Sequence, residues 1–305
     1  GVQITTPFEK LEAEGGKYEE IKNATKAGVD IKTDVTNDSD TEATGVSVKS
    51  TVYNKESDVI STQTDDITVA AGKTETISQS VDVANPKLWS VDSPNLYWVR
   101  TEIIQNGKVV DRTDSRFGIR YIATNPNSGF YLNGVHTKLN GVCEHSDLGS
   151  LGMETYQAAV DRRIRTLKKY GVNAIRTSHN PVSPEFIEAC DRLGMLVFEE
   201  AFDQWLYSKN SDDYHNYFNK AADGKTVVFD KAGNDNTNND TSYIEVKRED
   251  LQSNAERDIK AMVDRDKNAP CIFAWSTGNE IYDARYKHGE NTLDMLTGWV
   301  RKKLR

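Results

Sequence analysis

Residues 255–280 read AERDIKAMVDRDKNAPCIFAWSTGNE, a helical pattern followed by a short apolar run that ends in two polar residues. The run CIFAWS has the length and composition of a buried β-strand. Its polar end, Asn279-Glu280, needs an explanation, because burying unpaired polar groups costs several kcal/mol. The sequence on either side of this unit supplies one.

The alternation of helix and apolar strand repeats on the N-terminal side of this unit. Strands are predicted at HTKLNGVC (136–143), NAIRTSH (173–179) and MLVFEEAF (195–202), and helices at METYQAAVDRRIRTLKKYG (153–171), from the N-cap Ser183 to Gly194, and at NTLDMLTGWVRKKLR (291–305). Near-continuous apolar strands that alternate with helices indicate a parallel sheet covered by helices. Four such units within residues 123–305 predict the first half of an eight-unit (β/α)8 TIM barrel.

The preceding residues carry a different pattern. From Val2 to about Arg120 apolar and polar residues alternate, as in GVDIKTDVTND (28–38) and GVSVKSTVYN (45–54), and Asn106-Gly107 between two such runs is a strong hairpin signal. Turn residues recur about every 8–12 residues, which is typical of a sandwich of roughly seven strands. We therefore predict a β-sandwich at residues 1–122, followed by the turn-rich stretch ATNPNSG (123–129).

Composition and charge argue against several classes of partner. The net charge is −9 and no stripe of Lys and Arg is present, so nucleic acid is not an expected partner. No apolar run approaches the ~20 residues of a membrane helix, so no membrane partner is expected either. Cys143, Cys190 and Cys271 lie far apart in apolar stretches, which predicts reduced core thiols. No secretion signal is visible at the first residues, and the compartment stays open.

Polar residues stand at the end of all four predicted parallel strands. They are Glu144-His145 with Asp147, His179-Asn180, Glu199-Glu200 with Asp203, and Asn279-Glu280. In a parallel barrel these ends converge on one mouth, where groups that transfer protons or bind hydroxyls would meet.

Each of these residues also has a structural explanation. A single His at a strand end is more often a hydrogen-bonded structural residue than a catalyst, and of two adjacent acids one can stabilise a helix N-terminus. Trp205 and Trp275 are predicted as core residues, with stacking on a sugar as the alternative, and His136, His215 and His288 as surface residues. The His and acidic residues lack the spacing of a zinc site.

Several stretches together resemble glycoside hydrolase family 2, the β-galactosidase and β-glucuronidase group. They are LWSVDSPNLY (88–97), FGIRY (117–121), FYLNGVHTKLNGVCEHSDLGSLG (130–152), NAIRTSHNP (173–181), CDRLGMLVFEEAFDQW (190–205) and ERDIKAMVDRDKNAPCIFAWSTGNE (256–280). Enzymes of this family begin with a jelly roll, continue with an immunoglobulin-like sandwich and then form a (β/α)8 barrel. The resemblance implies that this chain is an internal fragment with the immunoglobulin-like sandwich and the first half of the barrel.

The resemblance also implies roles for individual residues. Glu280 matches the general acid/base of the family, and Asn279 matches the residue that binds the 2-hydroxyl of the sugar. His145 and His179 match histidines that line the sugar pocket, and Glu200 matches an acid near the site. A retaining glycosidase needs a second carboxylate about 5–5.5 Å from its acid. The family nucleophile is a Glu on a later barrel strand, so the chain by itself is predicted to be inactive.

Two departures from the family pattern affect the expected site. Some bacterial β-galactosidases bind Mg²⁺ just after the third strand, but the matching positions here are Gln204 and Leu206, so neither metal nor cofactor is predicted. Glu144 and Ser146 replace the more common residues on either side of His145, which could alter the sugar pocket. The polar stretch 206–243 either shapes the site or forms a surface insertion.

The predicted function is that of a fragment of a retaining exo-β-glycosidase that hydrolyses terminal β-galactosides. A β-glucuronidase or β-mannosidase of the same family is the alternative, and a non-catalytic structural or carbohydrate-contacting module is the alternative from another class. A half barrel would leave two unpaired sheet edges, which predicts a homo-oligomer formed through this open face.

Overall fold

The computed structural model describes residues 1–7, 24–205, 254–285 and 287–304 of the chain. Its first seven strands are β1 (Val2–Thr5), β2 (Lys26–Thr36), β3 (Ala43–Tyr53), β4 (Val59–Val69), β5 (Thr74–Ala84), β6 (Tyr97–Gln105) and β7 (Lys108–Phe117). They form two antiparallel sheets with the strand orders β1-β2-β5 and β4-β3-β6-β7. The prediction of a β-sandwich of about seven strands is confirmed.

The alternating pattern of the sandwich strands places their apolar residues inside. Val29 and Ile31 of β2 and Val48 and Val52 of β3 are fully buried. Asn106-Gly107 joins β6 to β7 as predicted, with φ angles of 50° and 77°. Two residues with positive φ give the type of turn whose twist matches a two-residue hairpin.

A small antiparallel sheet follows the sandwich, and the sequence did not predict it. Its strands are β8 (Ile122–Asn125), β9 (Gly129–Leu132) and β10 (Val135–His136). The single strand predicted at residues 136–143 is wrong, because residues 137–140 separate β10 from the next strand. Asn173 binds this segment from the side: its Nδ2 donates to Lys138 O at 2.9 Å and its Oδ1 accepts from Asn140 N at 2.8 Å.

The parallel sheet consists of β11 (Gly141–His145), β12 (Ala174–Ser178), β13 (Leu196–Glu200) and β14 (Ile272–Ser276), paired in chain order. The helices are α1 (Gln157–Lys169), α2 (Pro184–Leu193), α3 (Asn254–Asp266) and α4 (Lys287–Leu304). The four strand–helix units confirm the partial TIM barrel. Helix α4 begins at Lys287, four residues before the predicted start.

Helix ends follow the predicted signals. Ser183 Oγ accepts from Phe186 N at 3.3 Å at the start of α2. Gly171 and Gly194 follow α1 and α2 with φ angles of 83° and 75°, a conformation that glycine adopts without steric cost.

Aromatic residues fill the lower part of the parallel sheet, away from the strand ends. The ring of Phe273 in β14 lies 5.3 Å from that of Phe130 in β9 and 5.8 Å from that of Phe198 in β13. The small sheet therefore packs its β9 against the early residues of the parallel strands. The polar side chains of the site lie towards the other end of the parallel sheet, where the strands have their carboxyl ends.

One buried carboxylate joins the sandwich to the partial barrel. Asp191 of α2 is fully buried; its Oδ2 accepts from Arg116 at 2.8 Å and its Oδ1 from Cys271 N at 3.0 Å. Its main-chain oxygen accepts from Trp89 Nε1 at 2.8 Å. Burial raises the pKa of Asp191 and lowers that of the neighbouring Arg120 guanidinium to about 10. The two parts thus share charged groups that are shielded from water.

Some predicted features lie outside the described residues: the polar stretch 206–243 with Leu206 and His215, and the side chain of His288. Among the helices that the structure describes, none combines the length and apolar character that a bilayer span requires.

Candidate active site

The carboxyl ends of the four parallel strands bring the predicted site residues together. His145 ends β11 opposite Ser178 of β12, and Glu200 ends β13 opposite Ser276 of β14. His179 and Asn279 follow directly after β12 and β14. The rings of His145 and His179 lie 5.3 Å apart at 90°.

Glu200 is the centre of the hydrogen-bond network at this end of the sheet. Its side chain is 1% exposed, and its oxygens accept from Arg176 Nε at 3.0 Å and from Arg176 Nη2 at 2.8 and 2.9 Å. Ser276 Oγ donates to Oε2 at 2.7 Å, and His179 Nδ1 lies 2.7 Å from Oε1. The carboxyl group of β13 thus fixes side chains from its two neighbouring strands, β12 and β14, and its oxygens face the protein rather than the solvent.

Arg176 belongs to this network although the sequence analysis did not single it out. It lies in the middle of β12, two residues before the strand ends, and its Nη2 also donates to Asn279 Oδ1 at 2.6 Å. A strand alternates its faces, so Arg176 shares a face with Ser178. The signal that could have found it was an arginine inside the predicted strand NAIRTSH, because a cation within a sheet that is covered on one face needs a carboxylate partner.

The contact between His179 and Glu200 determines the tautomer of the imidazole. Since Glu200 Oε1 lies 2.7 Å from Nδ1, that nitrogen carries the ring proton and donates a hydrogen bond to Glu200. Arg176 Nη2, 3.3 Å from the same nitrogen, is then a packing neighbour rather than a donor. In the neutral ring, Nε2 is left as the hydrogen-bond acceptor.

Asn279 is held from both sides. Its side chain is 7% exposed; Oδ1 accepts from Arg176, and Nδ2 donates to Asp203 Oδ1 at 2.9 Å. Its main-chain N–H donates to Phe202 O at 3.0 Å. The polar pair that ends CIFAWSTGNE therefore begins with a buried amide that is hydrogen-bonded on both sides.

Glu280 follows on the same turn and is exposed to solvent, with a φ of 47°. Trp205, which is 3% exposed, fixes this turn, because its Nε1 donates to Thr277 O at 2.6 Å. A Cβ on Gly278 would lie 2.7 Å from that nitrogen, so any larger residue there would force the Trp205 or Ile281 side chain to move. The prediction that Trp205 is a core residue is confirmed. Trp275 is partly buried against the apolar cluster to which Trp205 belongs.

Two acids from the predicted set point away from the site. Glu144 faces α1, where its Oε2 lies 2.7 Å from Arg163 Nη1, and partial burial raises its pKa. The expectation that Glu144 alters the sugar pocket is therefore wrong. Glu199 is fully buried 3.2 Å from Arg265 in the last turn of α3, so it does not stabilise a helix N-terminus. Burial, and next the charge of Asp266, raise the pKa of Glu199 to about 9.

The cysteines and the remaining histidine differ in exposure. All three thiols are free; Cys190 and Cys271 are buried, and burial raises the pKa of both. Cys143 is exposed, so the prediction of a core thiol is wrong for it. It shares the inner face of β11 with His145, a face that this four-stranded sheet leaves open. His136 is exposed, as predicted.

The arrangement suits the binding of a polyhydroxylated ligand. Amide, imidazole and guanidinium groups line one end of a parallel sheet in fixed orientations, and an exposed carboxyl group stands beside them on a rigid turn. Such a carboxyl group can exchange a proton with a bound molecule. Gln204, at one of the two positions where a metal ligand would be expected, is 7% exposed.

Known proteins similar to this chain are glycosidases. Beta-galactosidase BoGH2A from Bacteroides ovatus is 34% identical over 270 residues, which are 88% of this chain and 28% of that protein. A putative beta-glucuronidase from Formosa agariphila is 37% identical over 205 residues, 67% of this chain and 17% of that protein. The chain therefore spans less than a third of these curated relatives.

Solved structures show the same likeness. A glycosyl hydrolase family 2 member from Bacteroides cellulosilyticus DSM 14838 matches 99% of this chain and 34% of its own with a TM-score of 0.78 and 31% identity. The family model described as "Glycosyl hydrolases family 2, TIM barrel domain" matches residues 124–303, and the one described as "Glycosyl hydrolases family 2" matches residues 17–120. From the sandwich through the parallel sheet, the chain belongs to glycosyl hydrolase family 2.

Proposed function

We propose that the full-length protein is a retaining exo-β-glycosidase that acts on terminal β-galactosides, with Glu280 as its general acid/base. The observation that carries this proposal is the position of Glu280: exposed at the end of β14, on a turn fixed by Trp205, and next to the buried amide of Asn279. A general acid must reach the leaving oxygen while its surroundings stay fixed, and this turn meets both needs.

The other site residues have supporting roles in this proposal. Asn279 binds the 2-hydroxyl of the sugar, and His145 and His179 line the pocket. Glu200 is a substrate-binding residue in the sequence prediction, but with its oxygens accepting from Arg176, His179 and Ser276 it acts best by orienting them. The second carboxylate of the retaining mechanism is a Glu of a later strand in the family pattern.

The choice of β-galactosides rests on similarity. Beta-galactosidase BoGH2A covers 88% of the chain, and a beta-galactosidase from Thermoanaerobacter pseudethanolicus is 28% identical over 76% of it. A β-glucuronidase is the second candidate, because the putative beta-glucuronidase from Formosa agariphila has a higher identity over a shorter stretch. A β-mannosidase stays the third candidate.

Replacing Glu280 by Gln in the full-length protein tests the function. We expect kcat for an alkyl β-galactoside to fall by about 10²–10⁴-fold, the usual contribution of a general acid. The loss should be smaller for a nitrophenyl galactoside, because a good leaving group needs less protonation. Glu290→Gln, at an exposed position ten residues further on, should leave kcat unchanged.

Parallel assays with alkyl β-glucuronides and β-mannosides decide the sugar. Unchanged turnover in Glu280→Gln would contradict the assignment of the acid. Binding of galactose without any turnover by the full-length protein would favour the non-catalytic, carbohydrate-contacting module instead.

We also propose that residues 1–122 and 123–305 form two domains, joined through Asp191, and that the 305-residue chain self-associates. Within the described residues β11 pairs only with β12 and β14 only with β13, so each presents an edge that can pair with another chain. Light scattering of the chain at micromolar concentrations should show oligomers, and a strict monomer would contradict this part of the proposal.

A further inference from the structure

We infer that Asp203 is a positioning residue for the proposed reaction: it fixes the amide of Asn279 so that this group meets the sugar in one orientation. The inference rests on the proposed function and assigns a role to a residue that the sequence analysis noted only by its place after the third parallel strand. Its basis is the set of contacts that surround Asn279.

The amide of Asn279 lies between a cation and an anion. Arg176 Nη2 is 2.6 Å from its Oδ1, and Asp203 Oδ1 is 2.9 Å from its Nδ2. Arg176 is itself bound by both oxygens of Glu200, so it cannot turn away without depriving a buried carboxylate of its guanidinium partner. Asn279 is 7% exposed, which excludes most competing water.

The chemistry of these two partners permits only one orientation of the amide. A guanidinium can only donate hydrogen bonds and a carboxylate can only accept them. A flipped Asn279 would turn its NH₂ group towards Arg176 and its oxygen towards Asp203, and both contacts would become repulsive. One N–H is then used by Asp203, and the second has no acceptor among the described residues. That second N–H is the group available to a sugar hydroxyl.

The main chain around Asp203 is hydrogen-bonded to the end of β14 and to the turn that carries Asn279. Ala201 N donates to Ser276 O at 3.0 Å, and Asn279 N donates to Phe202 O at 3.0 Å. Phe202 has a φ of 75°, in the left-handed region, and marks a sharp bend between β13 and Asp203. Segment 201–205 therefore presents the Asp203 carboxylate from a fixed place rather than from a loose loop.

The test uses kinetics of the full-length protein with a nitrophenyl β-galactoside and its 2-deoxy analogue. Asp203→Ala should lower kcat/KM for the galactoside by about 10–100-fold, the range of a lost charge-assisted hydrogen bond. It should change kcat/KM for the 2-deoxy analogue by less than about threefold, because that substrate lacks the hydroxyl that the amide binds. Asp294→Ala, at an exposed position of α4, serves as the matched control.

A double variant separates positioning from a general loss of structure. If Asp203 acts through Asn279, then Asp203→Ala combined with Asn279→Ala should be no slower than Asn279→Ala alone. Additive losses, or equal losses on both substrates, would overturn the inference.

A second measurement does not depend on the proposed function. In the ¹⁵N-labelled 305-residue chain, hydrogen exchange of the Asn279 side-chain amide should be slow and should accelerate at least tenfold in Asp203→Ala. Unchanged exchange would overturn the inference even if the full-length protein is an active glycosidase. Accelerated exchange in a protein that hydrolyses no β-glycoside would support the inference and contradict the proposed function alone.

Discussion

Glu199 and Glu200 show how one step along a strand reverses the environment of a carboxyl group. Successive side chains of β13 point to opposite faces, so Glu200 meets Arg176 and the site, whereas Glu199 meets α3. Oε2 of Glu199 is buried without a hydrogen-bond partner in the described part of the chain. Arg265 is nearby, but the acidic Asp266 beside it disfavours a charge on Glu199.

The raised pKa of Glu199 predicts a pH-dependent stability. Its folded-state pKa of about 9 lies above the unfolded value of ~4.3, so between these limits the folded state holds one more proton. The free energy of unfolding should therefore fall as pH rises through this window, by at most about 1.4 kcal/mol per pH unit from this group. Glu199→Gln should flatten the profile and be more stable than the parent at pH 8.

Urea denaturation of both chains from pH 5 to 8.5 measures this effect. Glu154→Gln, at an exposed position, should run parallel to the parent chain and is the matched control. If Glu199→Gln also runs parallel, burial does not keep Glu199 protonated.

The same alternation explains which site residues the sequence could predict. His145, His179, Glu200 and Asn279 were found because they end strands, and position at a strand end is visible in the sequence. Which face a side chain takes needs the register, so Glu144 was misassigned and Arg176 was missed. Arg176 lies within a strand, and only residues at strand ends were considered as site residues.

Helices α1 and α2 are both followed by a glycine, but the two glycines have different surroundings. Gly171 and Gly194 both have positive φ, yet a Cβ would meet nothing within 4 Å at Gly171 and would lie 2.2 Å from Val91 O at Gly194. Lys168 Nζ donates to that same oxygen at 2.6 Å and to Gly194 O at 3.0 Å. The end of α2 is thus packed directly against the segment that precedes β6.

Replacing each glycine by Ala separates the two effects. Gly171→Ala should lower the free energy of unfolding by about 1–2 kcal/mol, the cost of a left-handed conformation for an L-residue. Gly194→Ala should cost about 1–3 kcal/mol more, because the Val91 carbonyl must also move. Urea denaturation of the two variants measures the difference, and equal losses would show that the backbone yields at Gly194 without cost.

Element boundaries were less predictable than element types. The small sheet β10-β9-β8 was missed because its strands are short and its turns, at residues 125–129 and at Asn133-Gly134, dominate the composition. The long strand predicted at 136–143 merged β10 with β11, since nothing local to that stretch reveals the hydrogen bonds from Asn173 that separate them. Local composition hid the small sheet, and contacts with a distant residue set the boundary between β10 and β11.

For the whole molecule, the Asp191 network makes the sandwich and the partial barrel depend on each other. Asp191→Asn keeps the size of the side chain but removes the charge that balances Arg116. We expect a loss of about 1–3 kcal/mol in the free energy of unfolding, because the half-buried Arg116 guanidinium loses the charge of its fully buried partner. Asp114→Asn removes a similar pair with Arg100 on the surface, at 2.8 Å, and should cost much less, because water screens an exposed pair.

Thermal unfolding followed by calorimetry checks this prediction. Asp191→Asn should also separate one transition into two, for the sandwich and for the barrel units. A single transition with a loss no larger than that of Asp114→Asn would mean that other contacts join the two parts.

The shared interface has a consequence for engineering. A chimaeric enzyme whose sandwich is taken from a relative must receive Trp89, Arg116 and Arg120 as one set, since their partners Asp191 and Pro270 belong to the barrel side. Transplanting residues 1–122 without matching these positions would leave the Asp191 carboxylate buried without its cation in the new protein. Exchange of the sandwich domain within this family should therefore succeed only between proteins that carry the same residues at this interface, whatever their overall sequence identity.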